Sequence, residues 1–397
     1  MLKGKHVILG ITGSIAAYKI ANLASMLKKL HCDVTVIMTK NATNFIHPIT
    51  FETLTNNKCL IDTFDRNFEY QVEHISLAKS ADVVLIAPAT ANVIGKIAGG
   101  IADDMLTTTL MACTCKKIIA PAMNTNMYHN PILQDNLKKL SSYGYEIIPA
   151  ANGYLACGDT GDGKMPSEEV LLSYLMKEIA FEKDFTGINL LVTAGPTQES
   201  IDPVRFISNH SSGKMGYAIA ENAILRGANV TLVTGKTSLT PPPFVNVIPI
   251  LTASEMFEAV KDNYVNQDII IKAAAVADYT PCETSDQKIK KQDSEMFLSL
   301  QRTTDILAYL GEHRQNHQFL CGFSMETENM VENSKQKLLK KKLDMIAANN
   351  LKQSGAGFET DTNVLTLITN SEVMELPLMS KQEAARQLLD AIKKQRV

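Results

Sequence analysis

The sequence lacks the features of several large classes of protein. Lys and Arg number 39 against 42 Asp and Glu, so the net charge is only −3 and no global basic surface attracts nucleic acid or an anionic membrane. The seven cysteines are odd in number and form no CxxC pair, which argues against a disulfide framework or a zinc ribbon. The longest segment without a charged residue, 237–254, is broken by prolines and cannot form a membrane helix. The N-terminal apolar run is interrupted by Gly10 and Gly13 and does not fit a signal peptide, so we expect a cytoplasmic protein.

The composition is that of an ordinary folded protein with more than one domain. Hydrophobic residues make up 45% and charged residues 20% of the chain. At roughly 150 residues per domain, 397 residues correspond to two or three domains. A polar stretch at residues 181–187 separates two similar patterns, and we therefore predict domains at 1–186 and 187–397.

Each half opens with a strand, a glycine-containing turn, a helix and a second strand. In the first half the strands are predicted at residues 6–9 and 34–38, and in the second half at 188–193 and 230–233. Continuous apolar runs of this kind are typical of parallel strands buried on both faces. The sequence predicts two tandem Rossmann-like three-layer α/β domains with mainly parallel sheets, which bind ligands at the carboxyl ends of the strands. Further strands of the same type are predicted at 83–87, 117–120, 269–271 and 319–321.

Three segments of the first half are candidates for binding a flavin phosphate or ring. The turn before the first helix offers the backbone amides of Gly13 and Ser14 to a phosphate, although a tight turn without a ligand explains the glycines equally well. The second strand ends with Thr39 and Lys40 instead of the acidic residue of a dinucleotide site, which favours a mononucleotide over NAD. The third segment follows the next strand and is compatible with flavin binding or with helix capping; its candidates are Pro88, Ala89, Thr90 and Asn92.

Three side chains of the first half are candidates for catalysis. His74 lies in a predicted helix, where a surface histidine is an ordinary finding. Asn124 lies in a loop after a strand, where it could cap the next helix. Cys157 lies among glycines at residues 152–164, and a cysteine in such a loop is more typical of a working thiol on a lid than of a buried hydrophobic residue.

Together, His74, the PAMN motif ending at Asn124 and the LACGD motif around Cys157 resemble the flavin-dependent cysteine decarboxylases across the whole first half. The resemblance implies bound FMN, with His74 as catalytic base, Asn124 orienting the substrate carboxylate and Cys157 as proton donor. In this chemistry FMN oxidises a cysteine thiol to a thioaldehyde, which acts as the electron sink for the loss of CO₂. Tyr128 stands where the family commonly has tryptophan, so an aromatic ring is kept there.

The second half has its own candidates for binding anions, none of which forms a P-loop. Its opening segment ends in SSGKMG, which would place amides and a lysine at a helix N-terminus. Lys288 lies in a basic run, which is usually a solvated face. The spacing of Lys337, Lys340 and Lys341 puts them on one face of a predicted helix, where they could hold a triphosphate or simply face solvent.

The ordered motifs AGPT, SNHSSGKMG, AAAVADY, KIKK, GFSMET and KxxxKKLDMIAAN resemble the CTP-dependent phosphopantothenate–cysteine ligases over the rest of the chain. The resemblance implies that Asn209 acts in turnover of an acyl-cytidylate. We expect Lys288 to stabilise charge on the α-phosphate, with Mg²⁺ or Mn²⁺ on the other phosphates and Asp278 as a candidate metal contact. Thr303 and Thr304 replace the family's usual Asn-Pro. The implied CTP-binding residues are Asp278, Lys288, Thr304, Asp305, Ile306, Leu307, Phe323, Lys337 and Lys341.

Both resemblances lead to one pathway. They imply a bifunctional enzyme of coenzyme A biosynthesis: the C-terminal half couples 4′-phosphopantothenate to L-cysteine using CTP, and the N-terminal half decarboxylates the product to 4′-phosphopantetheine. The alternative is a flavin-binding regulatory or scaffold protein with decayed catalysis, against which the retained candidate residues argue. The resemblance also implies a homo-oligomer, with trimeric flavin domains and dimeric ligase domains that together would allow a dodecamer. The expected partners are these small molecules, without nucleic acid or a membrane.

Overall fold

The computed structural model describes residues 2–64, 73–290, 296–326, 328–350 and 360–396. The chain divides into two compact units, the first ending at Glu182 and the second beginning at Lys183. This division lies inside the polar stretch 181–187.

The first unit alternates strands and helices along its sequence. Its strands are β1 (His6–Ile11), β2 (Asp33–Met38), β3 (Val83–Ala89), β4 (Lys116–Pro121), β5 (Glu146–Ile147), β6 (Ala151–Tyr154) and β7 (Thr160–Lys164). Its α-helices are α1 (Ala17–Lys29), α2 (Pro48–Thr55), α3 (Glu73–Ser80), α4 (Ala91–Gly99), α5 (Met105–Ala112), α6 (Thr125–Tyr128), α7 (Pro131–Ser142) and α8 (Glu168–Ile179).

Five of these strands form one parallel sheet in the order β2-β1-β3-β4-β5. Val7 and Leu9 pack on one face with residues of α1 and α8, while Ile8 packs on the other face with residues of α4 and α5. Because both faces are covered by helices, the strands have the continuous apolar sequence that predicted them. The remaining strands, β6 and β7, pair with each other as an antiparallel hairpin.

The second unit repeats this organisation with a larger sheet. Its strands are β8 (Asn189–Ala194), β9 (Gln198–Ser200), β10 (Phe206–Ser208), β11 (Asn229–Thr234), β12 (Asn246–Pro249), β13 (Ile269–Lys272), β14 (Tyr279–Pro281), β15 (Leu300–Arg302), β16 (Phe319–Glu326), β17 (Met345–Asn350), β18 (Thr362–Asn363), β19 (Leu365–Ile368), β20 (Val373–Glu375) and β21 (Met379–Ser380). Its α-helices are α9 (Lys214–Leu225), α10 (Ala253–Asn263), α11 (Ile306–His313), α12 (Met330–Lys340) and α13 (Lys381–Arg396).

The main sheet of the second unit has eight strands in the order β12-β11-β8-β13-β16-β17-β19-β20. Pairing is parallel from β12 to β17, and β19 and β20 add an antiparallel edge. Helices α9 and α13 pack on one face, and α10, α11 and α12 on the other. The predicted α/β class, with two three-layer domains and mainly parallel sheets, is confirmed. Every helix within the described ranges is too short or too polar to cross a lipid bilayer.

An ionic cluster around Arg226 connects the start of the second unit to α13 through hydrogen bonds. The Arg226 guanidinium donates to the two carboxylate oxygens of Asp184 at 2.8 and 2.5 Å and to Asp390 at 2.7 Å. Lys393 also donates to Asp184, at 2.8 Å, and Arg226 lies 4.5 Å from the ring centre of Phe185. Burial opposes ionisation of the Asp184 carboxyl, but the hydrogen bonds from Arg226 and Lys393 outweigh it and lower the pKa of Asp184 to about 2.

We predict that Asp184→Asn destabilises the second unit by about 3–5 kcal/mol at pH 7, because the buried Arg226 guanidinium loses its two-point pair with a carboxylate that is only 11% exposed. The folded-state pKa of Asp184 lies below its unfolded value, so its contribution is present above about pH 4 and is lost as the pH falls toward about 2. Chemical denaturation of the full chain at pH 7 and pH 3 measures both effects.

The matched control for this prediction is Asp390→Asn. The Asp390 side chain is 46% exposed, so its pair with Arg226 contributes about 1 kcal/mol or less. Equal unfolding free energies for wild type and Asp184→Asn at pH 7 would contradict the prediction.

Candidate active sites

The first unit has a cavity of about 620 Å³ at the carboxyl edge of its parallel sheet. The loop after β1 contributes Gly13 and Ser14 to the wall, and Thr90 follows β3. Asn124 follows β4, and Cys157 comes from the β6–β7 hairpin. The loops that form this cavity therefore follow strand ends, where ligands of parallel sheets bind.

Thr12 joins the end of β1 to the end of β3. Its fully buried hydroxyl donates to the Pro88 carbonyl at 2.6 Å and accepts from the Thr90 N–H at 3.0 Å. At the next position, a Cβ on Gly13 would lie 2.8 Å from Cβ of Asn41, so glycine is needed for the two loops to approach this closely. The backbone surface before α1 is thus fixed by packing and hydrogen bonds.

The N-terminus of α1 suits an anionic ligand. The first turn of α1 contains no acidic residue, and Lys19 lines the cavity. The Thr39 hydroxyl is buried without a hydrogen-bond partner in the described part of the chain, and its backbone N–H donates to Ile11 at the end of β1. The cavity itself is met by the N-terminus of α1, whose backbone amides favour an anion. The residues present therefore fit the phosphate of a mononucleotide.

The β6–β7 hairpin brings Cys157 against Asn124. The Met123 N–H donates to the Gly163 carbonyl at 2.9 Å, and a Cβ on Gly163 would lie 2.4 Å from the Met123 oxygen, so the docking requires glycine. Asn124 Nδ2 donates to Cys157 Sγ and to Asp159 Oδ2, both at 3.3 Å. The Cys157 thiol donates to the same carboxylate oxygen at 3.3 Å. These three side chains form a closed hydrogen-bonded triangle.

The second unit has a cavity of about 540 Å³, also at the carboxyl ends of parallel strands. Lys272 and Asp278 contribute from the end of β13 and beyond it, and Phe323 from β16. Helix α9 begins at this cavity: its N-cap, Gly213, has φ +76°, and its first turn contains no acidic residue. Backbone amides at such an N-terminus favour an anion. On the same wall, Asn209 Nδ2 donates to the Ala275 carbonyl at 3.3 Å.

Asp305 and Lys341, which also line this cavity, form an ion pair. Lys341 Nζ lies 2.8 Å from Asp305 Oδ2 and donates to Oδ1 at 3.1 Å. Asp305 is the N-cap of α11 and accepts from the Ala308 N–H at 3.0 Å. Burial opposes ionisation of Asp305, but the hydrogen bonds from Lys341 and Ala308 outweigh it and lower the pKa of Asp305. The carboxylate therefore stays charged and holds the lysine at the cavity.

Comparison with known proteins covers both units. Residues 1–180 match the family profile described as flavoprotein, and residues 185–395 match the DNA/pantothenate metabolism flavoprotein C-terminal domain. The chain is 46% identical to the coenzyme A biosynthesis bifunctional protein CoaBC of Bacillus subtilis strain 168, over 99% of this chain and 97% of that protein. The chain belongs to the CoaBC family of bifunctional coenzyme A biosynthesis proteins.

A second member of the family is similar over nearly the whole chain, and a solved structure is similar to its second half. The CoaBC protein of Haemophilus influenzae is 43% identical, over 98% of each chain. A crystal structure of the C-terminal domain of a CoaBC protein is 44% identical and covers 53% of this chain and 96% of that one, with a TM-score of 0.46. The chain is thus a bifunctional enzyme, with a flavoprotein decarboxylase half and a ligase half. The resemblance and the bifunctional activity inferred from the sequence are confirmed.

Some of the site residues predicted in the first half line the cavity, and others lie outside its lining. Gly13, Ser14, Thr90, Asn124 and Cys157 line the cavity. Outside the lining are His74, Thr39, Pro88, Ala89 and Asn92. Pro88 contributes through its carbonyl, which holds Thr12. His74 lies half-buried on α3, directly after residues 65–72, which are outside the described ranges.

In the second half, every predicted CTP residue except Lys288 lines one cavity. Lys288 is exposed, on a segment held by hydrogen bonds from Ile289 to Asp202 and from Arg205 to Ile289. Lys340 of the basic helix is exposed and does not line the cavity. The predicted residues that line this cavity are Asp278, Thr304, Asp305, Ile306, Leu307, Phe323, Lys337 and Lys341, together with Asn209.

Sequence reasoning missed several residues that shape these sites. Thr12 acts through a hydrogen bond to Pro88 of a distant segment, and Asp159 through a hydrogen bond from Cys157 within the same hairpin. The sequence included Asp159 only as the last residue of the LACGD motif. Thr303 ties the loop before α11 to Ala277, because its hydroxyl donates to the Ala277 carbonyl at 2.6 Å. Lys272 ends an apolar strand that the sequence predicted to stop at Ile271. No cluster of three or more His, Cys, Asp or Glu side chains among the described residues is placed to hold a metal ion.

Proposed function

We propose that residues 1–186 form an FMN-dependent decarboxylase for 4′-phosphopantothenoylcysteine and that residues 187–397 form a CTP-dependent phosphopantothenate–cysteine ligase. The observation that carries the proposal is the gathering of the predicted CTP residues, except Lys288, around one cavity. The Asn124–Cys157–Asp159 triangle supports the decarboxylase half and argues against a regulatory protein without catalysis. The product of the ligase is the substrate of the decarboxylase.

In the ligase half, a carboxylate oxygen of 4′-phosphopantothenate attacks the α-phosphorus of CTP. The bond from that phosphorus to the bridging oxygen of the β-phosphate breaks, and pyrophosphate leaves. The cysteine amine then attacks the acyl carbon, CMP leaves and the amide forms. Lys337 and Lys341 hold the phosphates, and the N-terminal amides of α9 provide a further anion site. Mg²⁺ would bind through the nucleotide phosphates, with Asp278 as its candidate protein contact.

In the decarboxylase half, bound FMN supplies the oxidation of the substrate thiol that makes loss of CO₂ feasible and the reduction that completes the reaction. Asn124 orients the substrate carboxylate with its Nδ2, while its Oδ1 accepts from the Asn126 N–H at 2.9 Å and fixes the side chain. Asp159 accepts from the Cys157 thiol and holds its proton in a defined direction. Cys157 then donates this proton to the carbon that has lost CO₂.

The proposal includes assembly and location. His74 does not line the cavity of its own chain, which fits a trimer of flavin halves in which a second copy completes the site. Dimeric ligase halves would link such trimers into a dodecamer. Sedimentation analysis of the purified protein measures the mass of this assembly. All seven cysteines are free thiols, which fits the reducing cytoplasm.

Pyrophosphate release by the purified chain tests the ligase proposal. We expect release only when CTP and 4′-phosphopantothenate are both present, with ATP supporting little turnover. Absence of CTP-dependent release, or equal rates with ATP and CTP, would overturn the assignment.

Lys288→Gln is predicted to slow acyl-cytidylate formation by about 10²–10³-fold, because charge builds on the α-phosphoryl group. Lys290→Gln, an exposed lysine two positions away, is the control and should match wild type. Single-turnover pyrophosphate release measures both variants. Normal acyl-cytidylate formation by Lys288→Gln would remove Lys288 from the mechanism.

A further inference from the structure

Lys272 occupies an unusual position at the end of a central strand. β13 lies between β8 and β16, and its three isoleucines are fully buried. Lys272 is paired in register with Thr193 of β8 and Gly322 of β16. Because side chains alternate along a strand, Lys272 is on the same face as Ile270, which packs in one cluster with Ile306 and Leu307 of α11. The lysine side chain therefore extends along the α11 face of the sheet into the ligase cavity.

The positive charge of the Lys272 ammonium group is not balanced by a partner in this cavity. Within the described residues, its Nζ has no hydrogen-bond or ion-pair partner. The nearby carboxylate of Asp305 is already bound by Lys341 and by the Ala308 N–H. A half-buried ammonium without a partner is unfavourable in the protein alone and is stabilised by an anion.

The charge balance around Lys272 agrees with this geometry. Burial lowers the pKa of Lys272 to about 8; Lys341 lowers it further, whereas Asp305 and Asp278 oppose the change. Two lysines that face the same space repel each other until a shared anion enters. The neighbours Asp305, Asp278 and Lys341 are all among the residues that the sequence predicted to bind the nucleotide.

We propose that Lys272 is a phosphate-binding residue of the nucleotide site, donating from its ammonium group to the triphosphate beside Lys341. This inference rests on the proposed use of CTP. A phosphate is also present on 4′-phosphopantothenate, but Lys272 lines the same cavity as the predicted nucleotide residues Asp305 and Lys341, whose charges act on its ammonium group. Lys272 is therefore assigned to the nucleotide rather than to the acyl substrate.

Calorimetric titration of the full-length, flavin-loaded protein with CTP and Mg²⁺ tests the assignment. Lys272→Met should weaken CTP binding by about 10- to 100-fold, the usual effect of losing a charged hydrogen bond. Lys272→Arg should recover most of this loss. Lys340→Met removes an exposed lysine outside the cavity and should bind CTP as wild type does. Titration with 4′-phosphopantothenate should give the same Kd for all four proteins.

Two further measurements distinguish phosphate binding by Lys272 from a structural effect of its replacement. Lys272→Met should melt no lower than wild type without nucleotide, because it removes an uncompensated charge. In wild type, acylation of Lys272 by an amine-reactive ester, followed by peptide mass spectrometry, should slow when CTP is added. The inference would be overturned by any of three results. These are an unchanged CTP affinity in Lys272→Met, a weakened binding of 4′-phosphopantothenate instead of CTP in that variant, or a rate of Lys272 acylation that does not change when CTP is added. Failure of wild type to bind CTP at all would instead overturn the proposed ligase function.

Discussion

A Cys157→Ser variant is expected to keep its flavin and to release CO₂, yet to form 4′-phosphopantetheine about 10²–10⁴-fold more slowly than wild type. The thiol is the proposed proton donor, held between Asn124 Nδ2 and the Asp159 carboxylate at 3.3 Å from each. Serine keeps the shape of the side chain but is a much weaker acid. The substrate should therefore accumulate after decarboxylation as the oxidised enethiol, which mass spectrometry identifies.

Cys282→Ser is the matched control for this variant. Cys282 is the other exposed free cysteine and belongs to the second unit. Its replacement should leave both CO₂ release and product formation at wild-type rates. Full turnover by Cys157→Ser would exclude the thiol as the proton donor, whereas loss of flavin would indicate a binding role instead.

An Asn209→Ala variant should release one equivalent of pyrophosphate per ligase site and then stop. Asn209 lines the ligase cavity beside the start of α9, and its amide is anchored to the Ala275 carbonyl. With this donor removed, activation of the carboxylate remains, but attack of the cysteine amine on the acyl-cytidylate should slow by about 10²–10³-fold. Rapid quenching followed by chromatography measures the trapped acyl-cytidylate.

Asn246→Ala provides the comparison, because Asn246 is an exposed asparagine on the edge strand β12. It should show steady turnover with cysteine. Two results would count against the role of Asn209: amide formation at the wild-type rate, or no initial pyrophosphate at all.

The strand framework could be predicted because its residues carry a local signal. Runs such as residues 83–87 and 269–271 are apolar without alternation, as expected for strands covered on both faces. The cavities then follow from the parallel arrangement, since loops at one edge of a sheet come together. Predicting that Asn124 and Cys157 act together depended on family resemblance, because 33 positions separate them.

Other features depend on tertiary contacts that no local pattern reveals. The ends of the glycine-rich segment around Cys157 pair as the β6–β7 hairpin, and Gly163 docks on Met123 of a separate loop. Thr12 has the sequence context of an ordinary turn residue, and its role arises only because β1 lies beside β3. Lys272 follows three isoleucines, so the local sequence indicates only a buried strand. That its side chain enters the ligase cavity depends on α11, which packs over this face of the sheet. The position of Lys288 outside the cavity wall could not be read from a basic run either.

The most direct test of the whole account supplies the purified full-length enzyme with 4′-phosphopantothenate, CTP and cysteine labelled in its carboxyl carbon. We predict that labelled CO₂ appears only when CTP is present and in equal amount to the pyrophosphate released, because the ligase half makes the substrate of the decarboxylase half. Asn209→Ala should suppress the labelled CO₂ and Cys157→Ser should not. Release of labelled CO₂ without CTP, or continued pyrophosphate release without labelled CO₂ from flavin-loaded enzyme, would contradict the account.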